Sequence, residues 1–354
     1  MSLNTDKGGG LFAAANTASG FVSYFDEIFF SEGIERRYII KGGPGTGKSS
    51  FMRRVAESAR TSGHSVELYY CSSDTNSLDG VIIDGRLAIF DGTAPHSYDT
   101  VLPGARDELI DLGAFWDSEM LSEKRETLSA YAAQKKAAYS NAYGYLCAAG
   151  EIDATLRQVT DDCVMRDKMN SAVERFCLKS FRDSAEQARL FHTQTEAFGI
   201  HGSVHLSTLS DAAFRRYAVV DFYGIAQQYM QRLVDRALAC GQNICVSQDV
   251  VSGIANEIFF PDTGDYVYIT AGESNADKET TRINMKRFAD IGKLAEVRRY
   301  YRAARQAYRT LLDLASWQLA QAGRAHANME RIYVASMDFG SLRSYTDALI
   351  KRII

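Results

Sequence analysis

The chain has 354 residues, 46% of them hydrophobic and 24% charged, with a formal net charge of −4. That length allows two or three domains with a large buried core, and the mildly acidic balance argues against a general binder of nucleic acid or of membrane surfaces. No apolar run reaches about 18 residues, so no membrane span is expected, and the opening residues lack the apolar centre of a signal peptide, which points to the cytoplasm.

The first ten residues end in Gly8-Gly9-Gly10 and read as a loose end. Phe21-Val22-Ser23-Tyr24-Phe25 alternates loosely and predicts an edge strand or hairpin arm. Arg37-Tyr38-Ile39-Ile40-Lys41 is a short β-prone run that reads as a buried strand. A glycine-rich loop follows, and then a helix over 48–61. That helix carries Phe51, Val55 and Ala59 on one face and ends at the Ser62-Gly63 turn. Further strands are predicted near 66–71, 80–84 and 87–91. Strands alternating with helices imply a parallel sheet covered on its faces by helices.

The loop Gly42-Gly43-Pro44-Gly45-Thr46-Gly47-Lys48-Ser49 fits G-x-x-x-x-G-K-[ST], the phosphate-binding loop of P-loop NTPases. Its glycines let the backbone curl so that successive N–H groups converge on anionic oxygens. Strand, loop and helix also set a helix N-terminus against those oxygens. Gly43, Pro44, Gly45, Thr46, Gly47, Lys48, Ser49 and Ser50 are therefore the expected seat of a nucleoside triphosphate. Lys48 is the mobile cation, and the Ser49 hydroxyl is a ligand for Mg²⁺.

A loop of this kind works with an aspartate at the end of a neighbouring strand. Asp91 closes Leu87-Ala88-Ile89-Phe90 and is the preferred metal partner; Asp84, followed at once by Gly85, reads first as a turn former. His96, five residues past Asp91, is a candidate for orienting water or sensing the nucleotide. Asp74 and Ser72 end another strand and either hold a ligand or cap the next turn. No glutamate follows Asp91, so fast hydrolysis is not expected. Lys48, Asp91 and His96 form the expected catalytic set.

From Leu109 to Phe181, and again over 284–330, helical spacing takes over, with tyrosines such as Tyr300, Tyr301 and Tyr308 read as packing positions. These regions predict long helices that pack as a bundle standing off the sheets. The six cysteines form no Cys-x-x-Cys pair and read as reduced, buried thiols.

The chain also repeats itself. Arg36-Arg37-Tyr38-Ile39-Ile40 is answered by Arg215-Arg216-Tyr217-Ala218-Val219, and Gly63-His64-Ser65-Val66 by Gly241-Gln242-Asn243-Ile244. Where the first half has its phosphate loop, the second has Asp221-Phe222-Tyr223-Gly224-Ile225-Ala226-Gln227-Gln228. Gln227 replaces the lysine and Asp221 brings a negative charge, so the second loop should not seat a triphosphate. The expected fold is α/β: duplicated P-loop NTPase-like domains on parallel sheets with long helical insertions. Residues 1–190 hold the nucleotide, and residues 191–354 form a degenerate repeat with C-terminal helices.

Gly20-Phe21-Val22-Ser23-Tyr24-Phe25-Asp26, Lys41 to Ser50, and Leu78-Asp79-Gly80-Val81-Ile82-Ile83 on to Asp91-Gly92-Thr93-Ala94-Pro95-His96 resemble a little-characterised bacterial family of ATP-binding proteins. That family has two P-loop-like halves. The resemblance implies ATP and Mg²⁺ as ligands but names no substrate. The chain departs from the family in having one phosphate loop instead of two. The leading expectation is a Mg²⁺-dependent ATP-binding protein with slow hydrolysis. A small-molecule or nucleotide kinase and a nucleotide-gated module, meeting a protein partner through its helices, are the alternatives. An oligomer is compatible with each.

Overall fold

A computed structural model describes residues 9–181, 187–272 and 280–354. The expected loose end over Met1 to Gly8 lies outside the described residues, whereas Gly10 already belongs to a strand. The first half runs β1 (Gly10–Phe12), β2 (Ala14–Thr17), β3 (Gly20–Ser23), α1 (Phe25–Phe29), β4 (Arg36–Lys41), α2 (Lys48–Thr61), β5 (Val66–Tyr70), β6 (Leu78–Ile83), β7 (Leu87–Asp91) and β8 (Asp107–Asp111). Three helices follow: α3 (Ser118–Glu123), α4 (Arg125–Asp161) and α5 (Arg166–Ser180). The second half runs β9 (Leu190–His192), β10 (Glu196–Gly199), β11 (Gly202–His205), α6 (Thr208–Asp211), β12 (Arg215–Val220), α7 (Ile225–Ala239), β13 (Ile244–Gln248), β14 (Ala255–Phe260), β15 (Asp265–Thr270) and β16 (Thr281–Asn284). It closes with α8 (Ile291–Ala335) and α9 (Phe339–Ile353).

The protein is a mixed α/β structure with two six-stranded sheets. The first has the order β1-β5-β6-β7-β4-β8, and the second β9-β13-β14-β15-β12-β16. Strand directions match position by position: the outer pairings are parallel, and the central β5-β6-β7 and β13-β14-β15 meanders are antiparallel. The expectation of purely parallel sheets is thus corrected. The reason is chain length. A parallel crossover needs on the order of a dozen residues, and β6 reaches β7 through Asp84-Gly85-Arg86 alone. Asp84 (φ 51) and Gly85 (φ 66) both take the left-handed conformation that a tight hairpin requires. The Asp84 carboxylate accepts from the Ser65 N–H at 2.9 Å and lies 2.6 Å from His64 Nδ1, which ties the hairpin to the loop between α2 and β5.

A second correction concerns Leu109, expected to open a helical region. Asp107–Asp111 is a strand paired with β4, and the first α-helix beyond it starts at Ser118. Its polar sequence is tolerated because β8 is an edge strand in which only Asp107 and Ile110 are buried.

Each sheet carries its loop helix on one face. In the first half, Phe51, Met52, Val55, Ala56 and Ala59 of α2 are buried against Tyr38, Ile40, Val81 and Ile89. The opposite faces of the two sheets share a core, in which Phe29, Ile39 and Phe90 join Cys245, Phe259 and Tyr266. Burial of this apolar surface is the main source of stability.

The long helices α4 and α8 lie antiparallel, with Lys135 opposite His326 and Asp153 opposite Arg305. The short helix after each then crosses to the other half. Met169, Val173 and Phe176 of α5 join the core of the second sheet, and Leu342 and Leu349 of α9 join that of the first. The crossings are pinned by matching backbone bridges, Trp116 with Met337 and Ala289 with Val164. The boundary near residue 190 therefore separates the sheets, while the helices are exchanged across it. Tyr308 is buried in this helical layer, Tyr301 is half-buried, and Tyr300 is exposed. The six cysteines are free; Cys147 is exposed and Cys71 half-buried.

Candidate functional site

Strand β4 ends at Lys41 and α2 begins at Lys48, so Gly42 to Gly47 reverse the chain at the sheet edge where the parallel strands end. That edge is where α/β sheets bind ligands. Gly45 (φ 69) and Gly47 (φ 90) take left-handed conformations that a side chain would strain. Gly47 is the N-cap of α2. No side chain caps that end, and no acidic residue stands in its first turn. The N–H groups of Lys48, Ser49 and Ser50 open the helix and have no intrahelical acceptor, so they present partial positive charge to the loop. Thr46 is buried and donates to the Gly43 carbonyl at 2.9 Å, bracing the curl. Lys48 Nζ donates to the carbonyls of Gly42 (2.8 Å) and Gly43 (2.9 Å) and lies 3.6 Å from Asp91 Oδ2. Pro44 and Gly43 line the same turn, whereas the Ser50 side chain is exposed on the outside of α2.

Asp91 ends β7, the strand beside β4. One of its oxygens accepts from the Thr93 N–H at 2.8 Å and from the Thr93 hydroxyl. Burial pushes the Asp91 carboxyl above its ordinary pKa, against the pull of the nearby Lys48 ammonium. Asp79 stands next to it. Because β6 runs antiparallel, its first residues arrive at the edge where β4 and β7 end. Asp79 is 5% exposed, and its Oδ2 accepts no hydrogen bond among the described residues. Ser49 Oγ accepts from the Leu78 N–H at 3.0 Å, one residue away from Asp79.

Ser49, Asp79 and Asp91 thus converge beside Lys48. Two carboxylates and a hydroxyl, one carboxylate oxygen buried without a hydrogen bond, are a hard-oxygen set that suits Mg²⁺. His96 is brought to this cluster, but one step back: its ring stacks on Phe25 at 4.0 Å, and its Nε2 lies 3.5 Å from Asp79 Oδ2. It is placed to position Asp79. Asp74 caps a turn by accepting from the Asn76 N–H at 3.0 Å.

Helices from both halves complete the site. A Cβ on Gly43 would meet the Tyr333 ring at 2.7 Å, and one on Gly45 would meet the Glu330 carbonyl at 3.0 Å, so the last turns of α8 lie directly on the loop. The Glu330 carboxylate accepts from the Gly45 backbone; burial nonetheless pushes its pKa up, while Lys48 and Lys135 pull it down. His326 Nδ1 is 3.1 Å from the Lys135 ammonium. Burial first, and then Lys135 and Lys48, lower the His326 pKa to about 4, so its ring is neutral near pH 7 and accepts a hydrogen bond from the Lys135 ammonium. Two ammonium groups therefore lie near the loop.

Sequence reading missed Asp79, Lys135, His326 and Glu330. Asp79 had one available signal, its place at the head of an apolar strand. The other three look like ordinary polar residues on helix surfaces.

The second loop is built differently. Asp221, in the place of Gly42, turns its carboxylate onto its own loop and accepts from the N–H groups of Gly224 (3.0 Å) and Ala226 (2.9 Å). The opening of α7 is therefore satisfied by the protein itself. Gln227, in the place of Lys48, accepts from Arg157 at 3.4 Å. By the spacing that relates Trp116 to Ala289 and Val164 to Met337, Arg157 of α4 answers to Glu330 of α8.

No helix of the described residues is long and apolar enough to cross a membrane. Compared with family models, curated proteins and solved structures, the chain matches none.

Proposed function

We propose that this chain is a Mg²⁺-dependent ATP-binding protein of the P-loop class with slow ATP hydrolysis, built from two duplicated halves of which only the first keeps a phosphate loop. One observation carries the reading: the end of α2 is uncapped and free of acid, with Lys48 beside it, while the matching end of α7 is closed by Asp221. An uncapped, glycine-lined helix end beside a lysine stabilises a crowded anion through backbone donors and one charge-assisted contact.

In this reading the amides from Gly45 to Ser49 bind the β- and γ-phosphates, and Lys48 leaves its loop carbonyls for them. Lys135 adds a second cation. Ser49, Asp79 and Asp91 would hold Mg²⁺, which when bound neutralises charge gathering on the phosphate oxygens. Asp79 and Asp91 have to be ionised for that role, and Lys48 and His96 stand beside them. Hydrolysis is slow because Gly92, not a glutamate, follows Asp91; Glu330, which also lies near the loop, is half-exposed and arrives from another helix.

The contact of Glu330 and Tyr333 with the loop glycines favours a second reading. Filling the loop would press on α8, so nucleotide would bias the helical layer and whatever protein binds there. ADP release separates these readings. Slow turnover from ATP alone supports the hydrolase, turnover only with an added nucleoside, nucleotide or sugar supports a kinase, and binding without turnover supports the gated module. ATP handling unchanged in Lys48→Ala would remove all three.

A further inference from the structure

The N-terminal half of α8 carries Arg298, Arg302, Arg305 and Arg309 at spacings of four, three and four residues, which places them on one helix face. Arg305 lies 3.9 Å from Asp153. Arg298, Arg302 and Arg309 are exposed and make no ion pair or hydrogen bond with the described residues. A row of like charges on one helix is destabilising unless something answers it, and this row occurs in a chain whose net charge is −4.

Two adjoining hollows open along this row. One, of about 230 Å³, is lined by Tyr223, Tyr301, Arg302, Arg305, Gln306 and Arg309. The other, of about 370 Å³, shares Arg302 and adds Arg298 and Arg299. The wall opposite the arginines belongs to the second loop. Tyr223 sits there at φ 60, a left-handed conformation rare for an aromatic residue, and its ring meets that of Tyr301 at 4.8 Å. Backbone strain of this kind concentrates at sites with a function. Gly224, next along, would bring a Cβ to 3.6 Å from the Tyr301 hydroxyl. The second loop has thus filled its own helix end with Asp221 and faces a bank of guanidinium groups instead.

We propose that this groove is an anion site for a small molecule carrying two or more phosphate groups, gripped by Arg302, Arg305 and Arg309 through side chains where the first half uses backbone amides. Guanidinium forks match phosphate oxygens in geometry and charge, and the tyrosines wall the groove toward the second loop. The site is not where a phosphoryl group from the first loop is received. Arg302 and Glu330 lie on the same continuous helix, 28 residues apart and so separated by about 42 Å. The bound molecule is therefore an effector or a second ligand, held at one end of the helix whose other end lies on the phosphate loop.

Calorimetry with inorganic pyrophosphate, without added metal, tests this in the full-length Lys48→Ala variant, where the first loop has lost its cation. The expected result is one pyrophosphate per chain, bound at micromolar to sub-millimolar concentration and weakened by added salt. Adding Arg302→Gln and Arg309→Gln should weaken it by about tenfold or more, since two charge-assisted contacts are lost. Both positions are exposed, so the circular dichroism spectrum should be unchanged. Absence of pyrophosphate binding at millimolar concentration, or equal binding with and without the two arginines, overturns the proposal. So does a short RNA or DNA oligonucleotide bound through these arginines when pyrophosphate is not. The outcome is independent of whether the first loop binds ATP, which the comparison of wild type with Lys48→Ala decides.

Discussion

Two loops occupy the same place in two sheets of the same strand order, and they satisfy their helix ends in opposite ways. Gly42 to Ser49 leave the start of α2 without a capping side chain and place Lys48 beside it. Asp221 to Gln228 close the start of α7 with the Asp221 carboxylate. In the reading proposed above, the Asp221 carboxylate, in the position of the first glycine, supplies internally the negative charge that a phosphate would bring to the first loop.

The halves differ in a second way. In the first, Arg37 and Asp107 form an ion pair that is almost wholly buried, with Nε and Oδ1 2.6 Å apart. In the second, Arg215 pairs with buried Asp265 from the rim, its own side chain half-exposed. Burial would raise the Asp107 pKa, but the Arg37 hydrogen bond and the amides of Leu102 and Val101 outweigh it and hold the group at about 2.

The largest expected effect comes from this pair. Asp107→Asn leaves Arg37 buried without its counter-charge and should cost about 3–5 kcal/mol of stability, read by denaturant unfolding. The sign of the pH effect follows from the depressed pKa: the contribution of Asp107 is complete above the ordinary carboxylate range and is lost as pH falls toward 2. An acid unfolding midpoint that does not move in Asp107→Asn would contradict the assignment.

Next is Asp221→Ala, which uncaps α7 and should cost about 1–2 kcal/mol, with no change in ATP affinity. A gain of a second nucleotide site in that variant would show that the carboxylate alone had closed the loop. A smaller effect is expected at Glu330. Its carboxylate lies against Gly45 but is half-exposed, so Glu330→Gln should tighten ATP binding by only about fivefold, roughly 1 kcal/mol of screened repulsion. Weaker binding in that variant would instead make Glu330 a ligand-supporting residue. The smallest change is expected for Asp84→Ala. Its carboxylate ties the exposed hairpin to His64 and Ser65, at the sheet edge opposite the end of β4, so nucleotide affinity should not move.

Much of this was legible in the sequence because it is local. The β4–loop–α2 unit, the hairpin near Phe21, the Asp84 turn and the altered second loop each follow from glycine placement and short-range periodicity. What the sequence did not show is set by distant parts of the chain. Leu109 to Asp111 read as part of the helical region whose spacing runs on from them, and only pairing with β4 makes them part of a strand. The alternation of strands with helices along the chain points to parallel sheets; the Asp84-Gly85 turn is legible, but not the antiparallel pairing of β6 with β7 that it forces. Lys135, His326 and Glu330 carry no motif. They reach the loop because α4 and α8 lie antiparallel, and no spacing within either helix records that. The exchange of α5 and α9 is hidden for the same reason.

The central claim, one working cradle and one closed, is tested most directly by titrating ATP with Mg²⁺ into the full chain and into Lys48→Ala under identical conditions. The account predicts one ATP per chain for the wild type and affinity about tenfold or more weaker in the variant, from loss of a single charge-assisted contact. Two ATP molecules per chain, or equal affinity in both proteins, would contradict it.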